Sequence, residues 1–300
     1  MKRVLILGNR GYVGSRLTHD LSELDYEVEG VDIGWFTDGE SQDYKDLTKE
    51  YIQSFNAVIC VAGHSSVGTC VGGDVQGPWL NNVTNFVNLL GKITDEQLLI
   101  YASSASVYGN SNPGMHHREK LINFSPINNY DLTKYVLDLH AQSYINRGYK
   151  IVGLRFGTVN GWSPYIRTDV MINAMYVSAK LAGQIVIKNK QISRALLGTT
   201  DLSRAVQNIL DYPVPGIFNL ASFNVTVDEI AQALSKKLNV DIVDQGSDGN
   251  AYDFGLDVSL FEESHHFKFE ETPESIVDGL DKWYYNSKHG RRDNYMEYSW

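Results

Sequence analysis

The sequence predicts an α/β fold, a doubly wound parallel sheet with a smaller C-terminal lobe. Three observations lead there. Short aliphatic and β-branched runs alternate with segments of helical period through the first half, the pattern of a parallel sheet covered by helices. The first run ends in glycines spaced Gly8-x-x-Gly11-x-x-Gly14, directly ahead of a helical stretch. After Arg155 the rhythm changes to a Gly/Pro-marked loop, residues 157 to 164, and then to shorter strands and helices.

Taken in order, Val4 to Leu7, Glu27 to Val31, Ala57 to Val61, Leu98 to Tyr101 and Ile151 to Leu154 read as strands. Residues 11–24, 78–91 and 129–147 carry helical period between them, and a further helix is expected near 169–182. One crossover is deficient: the segment after Asp32 is short of apolar residues and rich in turn formers, so a loop is expected there. The chain closes on a polar, aromatic tail at 284–300. No clean linker divides the halves. Residues 1–160 are expected to form the sheet domain and 161–300 mainly a substrate lobe, some of whose segments return to the first domain. The ligand crevice belongs between them, at the carboxyl ends of the strands.

With 300 residues, 43% of them hydrophobic and 21% charged, the chain has ordinary globular composition and enough length for a full core. A formal charge of −10 argues against a nucleic-acid partner, which needs a clustered basic face. Cys60 and Cys70 have neither metal-ligand spacing nor a framework of bridges, and a reducing compartment is the simpler reading. The apolar run at the start is too short for a signal peptide, and none elsewhere suffices to span a bilayer. The expectation is a cytoplasmic protein with no membrane partner.

Glycines at 8, 11 and 14 let the chain turn tightly and bring backbone N–H groups and a helix N-terminus against a pyrophosphate. Tyr12 and Val13 would lie against the same group. Asp32 closes the next strand about 20 residues on, where an acid accepts from the adenosine ribose 2′-hydroxyl. That acid repels a 2′-phosphate and no arginine follows it, so NAD is favoured over NADP. The domain is thus of Rossmann type, with Ile33 beside the adenosine.

Further motifs follow: Ala62-Gly63-His64 after the third strand, Asn81-Asn82, Ser103-Ser104-Ala105-Ser106-Val107-Tyr108-Gly109, Tyr130-x-x-x-Lys134 and Leu154-Arg155-Phe156. In this order they resemble the extended short-chain dehydrogenase/reductase family, in particular its NAD-dependent nucleotide-sugar epimerases and dehydratases. The resemblance covers roughly residues 1–220. It implies that Ser104, Tyr130 and Lys134 are the catalytic set. It also implies cofactor contacts from Asp43 and Tyr44 to the adenine end, from Ala62, Gly63, His64 and Phe156 along the cofactor, and from Asn81, Tyr130 and Lys134 to the nicotinamide ribose.

Those residue types suit the chemistry. An alcohol loses hydride only if its hydroxyl proton also leaves, and a phenol near pKa 10 is a poor base at neutral pH. Lys134, one helical turn beyond Tyr130, favours phenolate. Ser104 would fix the reacting oxygen. The same Tyr-x-x-x-Lys spacing recurs at Tyr176/Lys180 and Tyr284/Lys288, without a serine-bearing strand ahead of it. Those two are read as ordinary helix pairs.

On the substrate side, family dehydratases usually carry an acid between the serine and Val-Tyr-Gly, where this chain has Ala105 and Ser106. The segment therefore looks more like that of UDP-galactose 4-epimerase. Arg194-Ala-Leu-Leu-Gly-Thr-Thr-Asp201 resembles the family segment whose arginine grips the nucleotide diphosphate. Thr158 stands where the family often has asparagine, and Arg167 sits in a related loop. Ser104, Ser106, Tyr130, Thr158, Arg167 and Arg194 are the candidate substrate contacts, with surface ion pairing the alternative for the two arginines. His64 is read as shaping the pocket, and His116-His117 lack a third ligand at metal spacing, so no metal is assigned.

The resemblance implies an NAD-dependent nucleotide-sugar 4-epimerase that abstracts a hydride transiently and returns it to the other face. The alternatives are a one-way NAD(P)H-dependent 4-keto-sugar-nucleotide reductase or dehydratase, and a non-catalytic NAD-binding sensor on the same fold. A homodimer through the helices at 78–91 and 129–147 is also implied.

Overall fold

The structure, a computed structural model, describes residues 1–35, 41–65, 76–110, 116–119, 124–249 and 252–288. Cys70 and residues 289–300 of the tail lie outside the described residues, as do the side chains of His116 and His117.

The first half alternates strand and helix. β1 (Lys2–Leu7) leads into α1 (Tyr12–Ser22), then β2 (Tyr26–Val31), the short α2 (Lys49–Gln53) and β3 (Ala57–Cys60). A helical segment, α3, runs through Gln76–Trp79, a π turn at Leu80–Thr84 and Asn85–Leu90. β4 (Leu98–Ser104), α4 (Asn129–Ile145) and β5 (Ile151–Phe156) follow. β9 (Gly216–Leu220), reached after the second lobe has begun, completes the main sheet.

The sheet is parallel throughout, in the order β9-β5-β4-β3-β1-β2. Successive side chains of a strand point to opposite faces, and both faces are covered. Val4 and Ile6 join a cluster with Leu17, Leu21 and Leu202, whereas Leu5 and Leu7 join one with Phe86, Leu90 and Leu137. All four β1 side chains are fully buried, each worth roughly 1.5–3 kcal/mol relative to exposure.

The second lobe is built on β6 (Thr158–Asn160), α5 (Met171–Ala182), β7 (Gln184–Ile187), β8 (Ser193–Gly198), α6 (Thr199–Asp211), β10 (Phe223–Thr226), α7 (Val227–Leu238), β11 (Asp241–Asp244), α8 (Ser259–His265) and α9 (Pro273–Lys288). β8 lies between antiparallel β10 and parallel β6, and β11 pairs with β7. Tyr176, Ile230, Leu234, Val277 and Leu280 fill its core. Asp201, buried at the start of α6, accepts the backbone N–H groups of Glu270 and Glu271 at 2.9–3.2 Å, and Glu271 accepts those of Thr200 and Asp201 at 2.9 Å. This reciprocal clasp fixes the chain between α8 and α9.

Three expectations need correction. The connection after Asp32 is not all loop: Thr48 caps α2, and buried Ile52 anchors it. The loop at 157–164 contains β6, because Thr158, Val159 and Asn160 find a partner strand in β8. The helix expected at 78–91 begins at Gln76 and is interrupted by the π turn. Among the described residues no helix is long and apolar enough to cross a membrane.

His265 is 4% exposed, stacked on Phe261 at 4.3 Å and edge-on to Phe218 at 4.9 Å, with both ring nitrogens closed off from solvent. Burial holds the imidazole below its ordinary pKa. The fold therefore keeps His265 neutral, while the unfolded chain takes up a proton below about pH 6.5. Its contribution is complete above that pH and is lost as pH falls through it. Urea midpoints should fall between about pH 7 and 5 in the wild type and fall less in His265→Phe.

Candidate functional site

The chain leaves β1 for β2 on one side and returns to β3 on the other, so a crevice opens at the carboxyl ends of β1 and β3. Two glycines make its floor. Gly8 has φ +88°, and a Cβ there would stand 2.7 Å from the Ala62 amide nitrogen. A Cβ on Gly14 would stand 2.0 Å from the Gly8 carbonyl oxygen. Only hydrogen fits at either place, so the backbone lies bare where α1 points its N-terminus into the crevice.

Asp32 follows β2 and faces the same loop. Its carboxylate accepts the N–H of Arg10 at 3.0 Å and of Gly34 at 2.8 Å, and the Arg10 guanidinium donates to the Asp32 carbonyl at 3.1 Å. An arginine thus does stand beside the acid, delivered by the glycine loop rather than by the residues after Asp32. Trp35 meets the His64 ring edge-on at 5.1 Å. The π turn of α3 places two asparagines here. Asn82 accepts the His64 N–H at 2.8 Å and donates to Thr133 at 3.0 Å, and Asn81 contacts the His64 ring nitrogen at 3.3 Å. Inserting one residue into a helical turn re-aims side chains in this way.

Across the crevice α4 begins. The Asn128 side chain accepts the Asp131 N–H at 3.0 Å, and the Asp131 carboxylate accepts the Ile127 N–H at 3.1 Å. Tyr130 therefore sits in the first turn, at the positive end of the helix dipole. Lys134 is buried, donates to the Ala102 carbonyl at 3.0 Å and lies 5.9 Å from the Tyr130 ring centroid. Ser104 ends β4; its Oγ accepts the Ser106 N–H at 3.2 Å and shares a hydrogen bond with Ser106 Oγ at 2.9 Å. Together these groups can hold a hydroxyl or carbonyl oxygen and take or return its proton.

In the second lobe the Arg194 guanidinium donates to Thr158 at 3.1 Å and to the Tyr252 carbonyl at 3.2 Å, while its Nε is sealed from solvent without a hydrogen-bond partner. Among the described residues no carboxylate lies within ion-pair distance of it. Burial lowers its pKa from the ordinary guanidinium value, with Tyr252 and Asp253 opposing that shift. Arg167 is in a different state, paired with both carboxylate oxygens of Asp169 at 2.9 and 2.5 Å.

Every residue named from the sequence for cofactor, substrate or proton transfer lines this one crevice, from Gly8 and Asp43 at one end to Thr158, Arg167 and Arg194 at the other. The Tyr176/Lys180 pair stands elsewhere, inside the second lobe. Tyr176 donates to Asp281 at 2.6 Å and Lys180 pairs with the same carboxylate at 2.7 Å, so that spacing serves packing. The side chain of Lys288 lies outside the described residues. Sequence reasoning missed Arg10, Trp35, Asp131, Tyr252 and Phe254. Asp131 adjoins Tyr130 in the motif, whereas no local pattern marks Tyr252. Among the described residues no group of three His, Cys, Asp or Glu is arranged to hold a metal.

A fold with its glycine loop at the switch point and a tyrosine–lysine helix opposite defines a dinucleotide-dependent class. Residues 4–221 match the NAD dependent epimerase/dehydratase family, and the chain belongs to it. It is 29% identical over 185 residues to the ADP-L-glycero-D-manno-heptose-6-epimerase of Brachyspira hyodysenteriae, across 53% of this chain and 55% of that one. The match thus spans little more than half of that relative's length. The fold is similar to UDP-glucuronic acid 4-epimerase from Bacillus cereus, solved with UDP-glucuronic acid and NAD, at TM-score 0.82 and 19% identity over 95% of this chain and 99% of that one. It is also similar to an NAD dependent NDP-hexosamine 5,6-dehydratase of tunicamycin biosynthesis, at TM-score 0.83 and 18% identity over 95% and 98%.

Gly14→Ala should lower unfolding free energy by about 1–3 kcal/mol, the usual range for overpacking. A urea midpoint unchanged from wild type would mean that the loop has room for the methyl group.

Proposed function

We propose that the chain is an NAD-dependent nucleotide-sugar epimerase acting at C4 of the sugar. The observation that carries this reading is the convergence of Ser104, Tyr130 and Lys134 on the crevice whose floor is the bare Gly8–Gly14 loop. NAD fits that floor: the loop and the α1 N-terminus would hold its pyrophosphate, and Asp32 its adenosine ribose. When bound, it supplies the acceptor and later the donor of a hydride.

The chain's own residues handle the proton. Tyr130, biased toward phenolate by the helix terminus and by Lys134, takes the proton of the sugar hydroxyl and later returns it. Ser104 holds the reacting oxygen in place. Arg194 is the candidate grip on the diphosphate, a role that suits its place in the crevice and an Nε sealed from solvent without a hydrogen-bond partner. Residues 1–160 hold the cofactor and 161–300 mainly the sugar nucleotide, while Gly216–Leu220 returns to the main sheet.

A homodimer accords with the exposed apolar residues of two adjacent helices, Trp79 and Leu80 on α3, and Leu132 and Leu139 on α4, 39–51% exposed. Leu132 and Leu139 are two turns apart on one face of α4. A chain of this composition with few cysteines suits the cytoplasm.

Proton NMR of the anomeric region, with NAD and a panel of UDP-, GDP- and dTDP-sugars, tests the activity. A second epimer should grow to equilibrium with the wild type. With Tyr130→Phe its rate should fall by about 10²–10⁴, while NAD affinity is kept. Full turnover in that variant would remove Tyr130 from the mechanism, and stoichiometric NADH consumption with a 4-keto sugar would make the enzyme a reductase. For the assembly, Leu132→Glu/Leu139→Glu should convert a dimer to a monomer in light scattering; a monomeric wild type would refute the interface.

A further inference from the structure

Tyr130, Arg194 and Tyr252 all line the crevice, and the third of them joins the other two. Residues 252–254 belong to no helix or strand, yet they are tied to the start of β8 along their length. The Arg194 guanidinium donates to the Tyr252 carbonyl at 3.2 Å, and the Ser193 N–H donates to the Asp253 carboxylate at 3.0 Å. The Phe254 N–H donates to the Ser193 carbonyl at 3.1 Å. The Tyr252 side chain reaches α4 instead. Its hydroxyl lies 2.8 and 2.9 Å from the two carboxylate oxygens of Asp131, which is fully buried, and it accepts from the Asn128 amide.

Chemistry fixes the directions of these bonds. A carboxylate only accepts, so Tyr252 donates its single hydroxyl proton to Asp131, while its oxygen accepts the Asn128 N–H. The first turn of α4 is capped without it: Asn128 accepts the Asp131 N–H at 3.0 Å, and Asp131 accepts the Ile127 N–H at 3.1 Å. The helix therefore does not need Tyr252 in order to begin. What the hydroxyl adds is a tie from the second lobe to residues on either side of Tyr130, made at a carboxylate, where a hydrogen bond is stronger than between neutral groups. Within the helix, Tyr130 is held only through its backbone carbonyl, which accepts the Thr133 hydroxyl at 2.8 Å, and that contact does not refer it to the second lobe. Recognition of a sugar hydroxyl by the Tyr252 oxygen is the poorer account, since its proton and an acceptor position are both committed inside the protein.

We propose that Tyr252 is a positioning residue for Tyr130: through Asp131 and Asn128 it fixes the first turn of α4 against the segment that Arg194 holds. The phenol that moves the proton and the cation that grips the ligand are thereby referred to one strut. A ligand seated at Arg194 brings its reacting oxygen into register with Tyr130. Misplacement by about 1 Å at such a centre can cost on the order of 10²-fold in rate. The proposal rests on the reading of Tyr130 as the proton-transfer group.

The test is a double-mutant cycle in the full, NAD-loaded chain, with the UDP-, GDP- and dTDP-sugar panel as probes and turnover followed by proton NMR. Tyr252→Phe removes only the hydroxyl and should lower kcat by about 10- to 100-fold, with KM and NAD affinity close to wild type. In an Asp131→Ala background the same substitution should cost almost nothing more, because its partner is gone. A raised KM at unchanged kcat would make Tyr252 a sugar contact, and equal losses in the two backgrounds would mean that it does not act through Asp131. Either result overturns the proposal. A second readout needs no turnover: with tyrosine labelled with 13C at Cζ and Tyr130 assigned by Tyr130→Phe, its line should be single in wild type. In Tyr252→Phe that line should split or broaden, at a thermal midpoint close to wild type; one sharp line in both proteins would also overturn the proposal. If no sugar nucleotide turns over, the epimerase reading fails while the 13C spectra still decide this one. Should Tyr252→Phe not fold, Asn128→Ser keeps a capping oxygen, removes the amide donor and should show the same loss of kcat on a smaller scale. Wild-type kcat in that folded variant would count against the strut in the same way.

Discussion

The site depends on a buried ion pair. Arg155 of β5 donates from Nε to Asp138 of α4 at 2.8 Å, and neither side chain is more than 5% exposed. Tyr101 of β4 donates to the same carboxylate at 2.9 Å, and the guanidinium donates to the Tyr108 hydroxyl at 2.8 Å. The Tyr108 hydroxyl donates to the side-chain oxygen of Asn219 of β9 at 2.7 Å. Five elements are thus tied at one point: the tyrosine–lysine helix, the strands β4, β5 and β9, and the turn that follows Ser104. Charges out of water are costly, and removing one partner leaves the other uncompensated. The network therefore admits few arrangements, and the separation of α4 from the Ser104 turn is set by it rather than by apolar packing, which tolerates sliding.

The remaining geometry follows from burying a parallel sheet on both faces. Strand residues such as Val4 to Leu7 and Val58 to Cys60 have no solvent to face, so polar chemistry is displaced to the strand ends. β1 contributes Gly8, β3 contributes Ala62, β4 contributes Ser104 and β5 contributes Phe156, all at the carboxyl edge. Helix N-termini point to that edge as well. The same displacement supplies both a cradle for phosphate and the place of Tyr130 in a first helical turn facing the crevice.

Much of this was legible in the sequence, and the exceptions have a common cause. β1 to β5 and the helices beginning near 12 and 129 follow local periodicity, and Gly8, Gly14, Asp32, Ser104, Tyr130 and Lys134 lie at the ends of those elements, where order along the chain specifies place. Tyr252 and Phe254 reach the crevice from a segment with no periodic pattern, brought there by the bridge between His116–His117 and Gly255–Leu256. The π turn at Leu80–Thr84 was equally hidden, because a single inserted residue leaves the apolar spacing of a short helix nearly unchanged. Arg10 was visible as a residue but not as a neighbour of Asp32, since it precedes Asp32 by 22 residues and the contact closes between the loops that follow β1 and β2.

Spacing acquires meaning only from what stands at the helix end. Tyr130/Lys134 and Tyr176/Lys180 are alike in sequence separation, and in both pairs the ammonium lies 5–6 Å from the ring centroid. They differ in surroundings. Tyr176 donates a hydrogen bond to Asp281, the carboxylate that also holds Lys180, inside the second lobe. Lys134 is instead anchored to a neutral carbonyl, that of Ala102, at the edge of the crevice. Asp131, the nearby acid, is turned toward Tyr252, whose hydroxyl donates to it at 2.8 Å. Tyr130 thereby lies between Lys134 and the Ser104 turn at the edge of the crevice, surroundings that a helix pair buried in a core does not have.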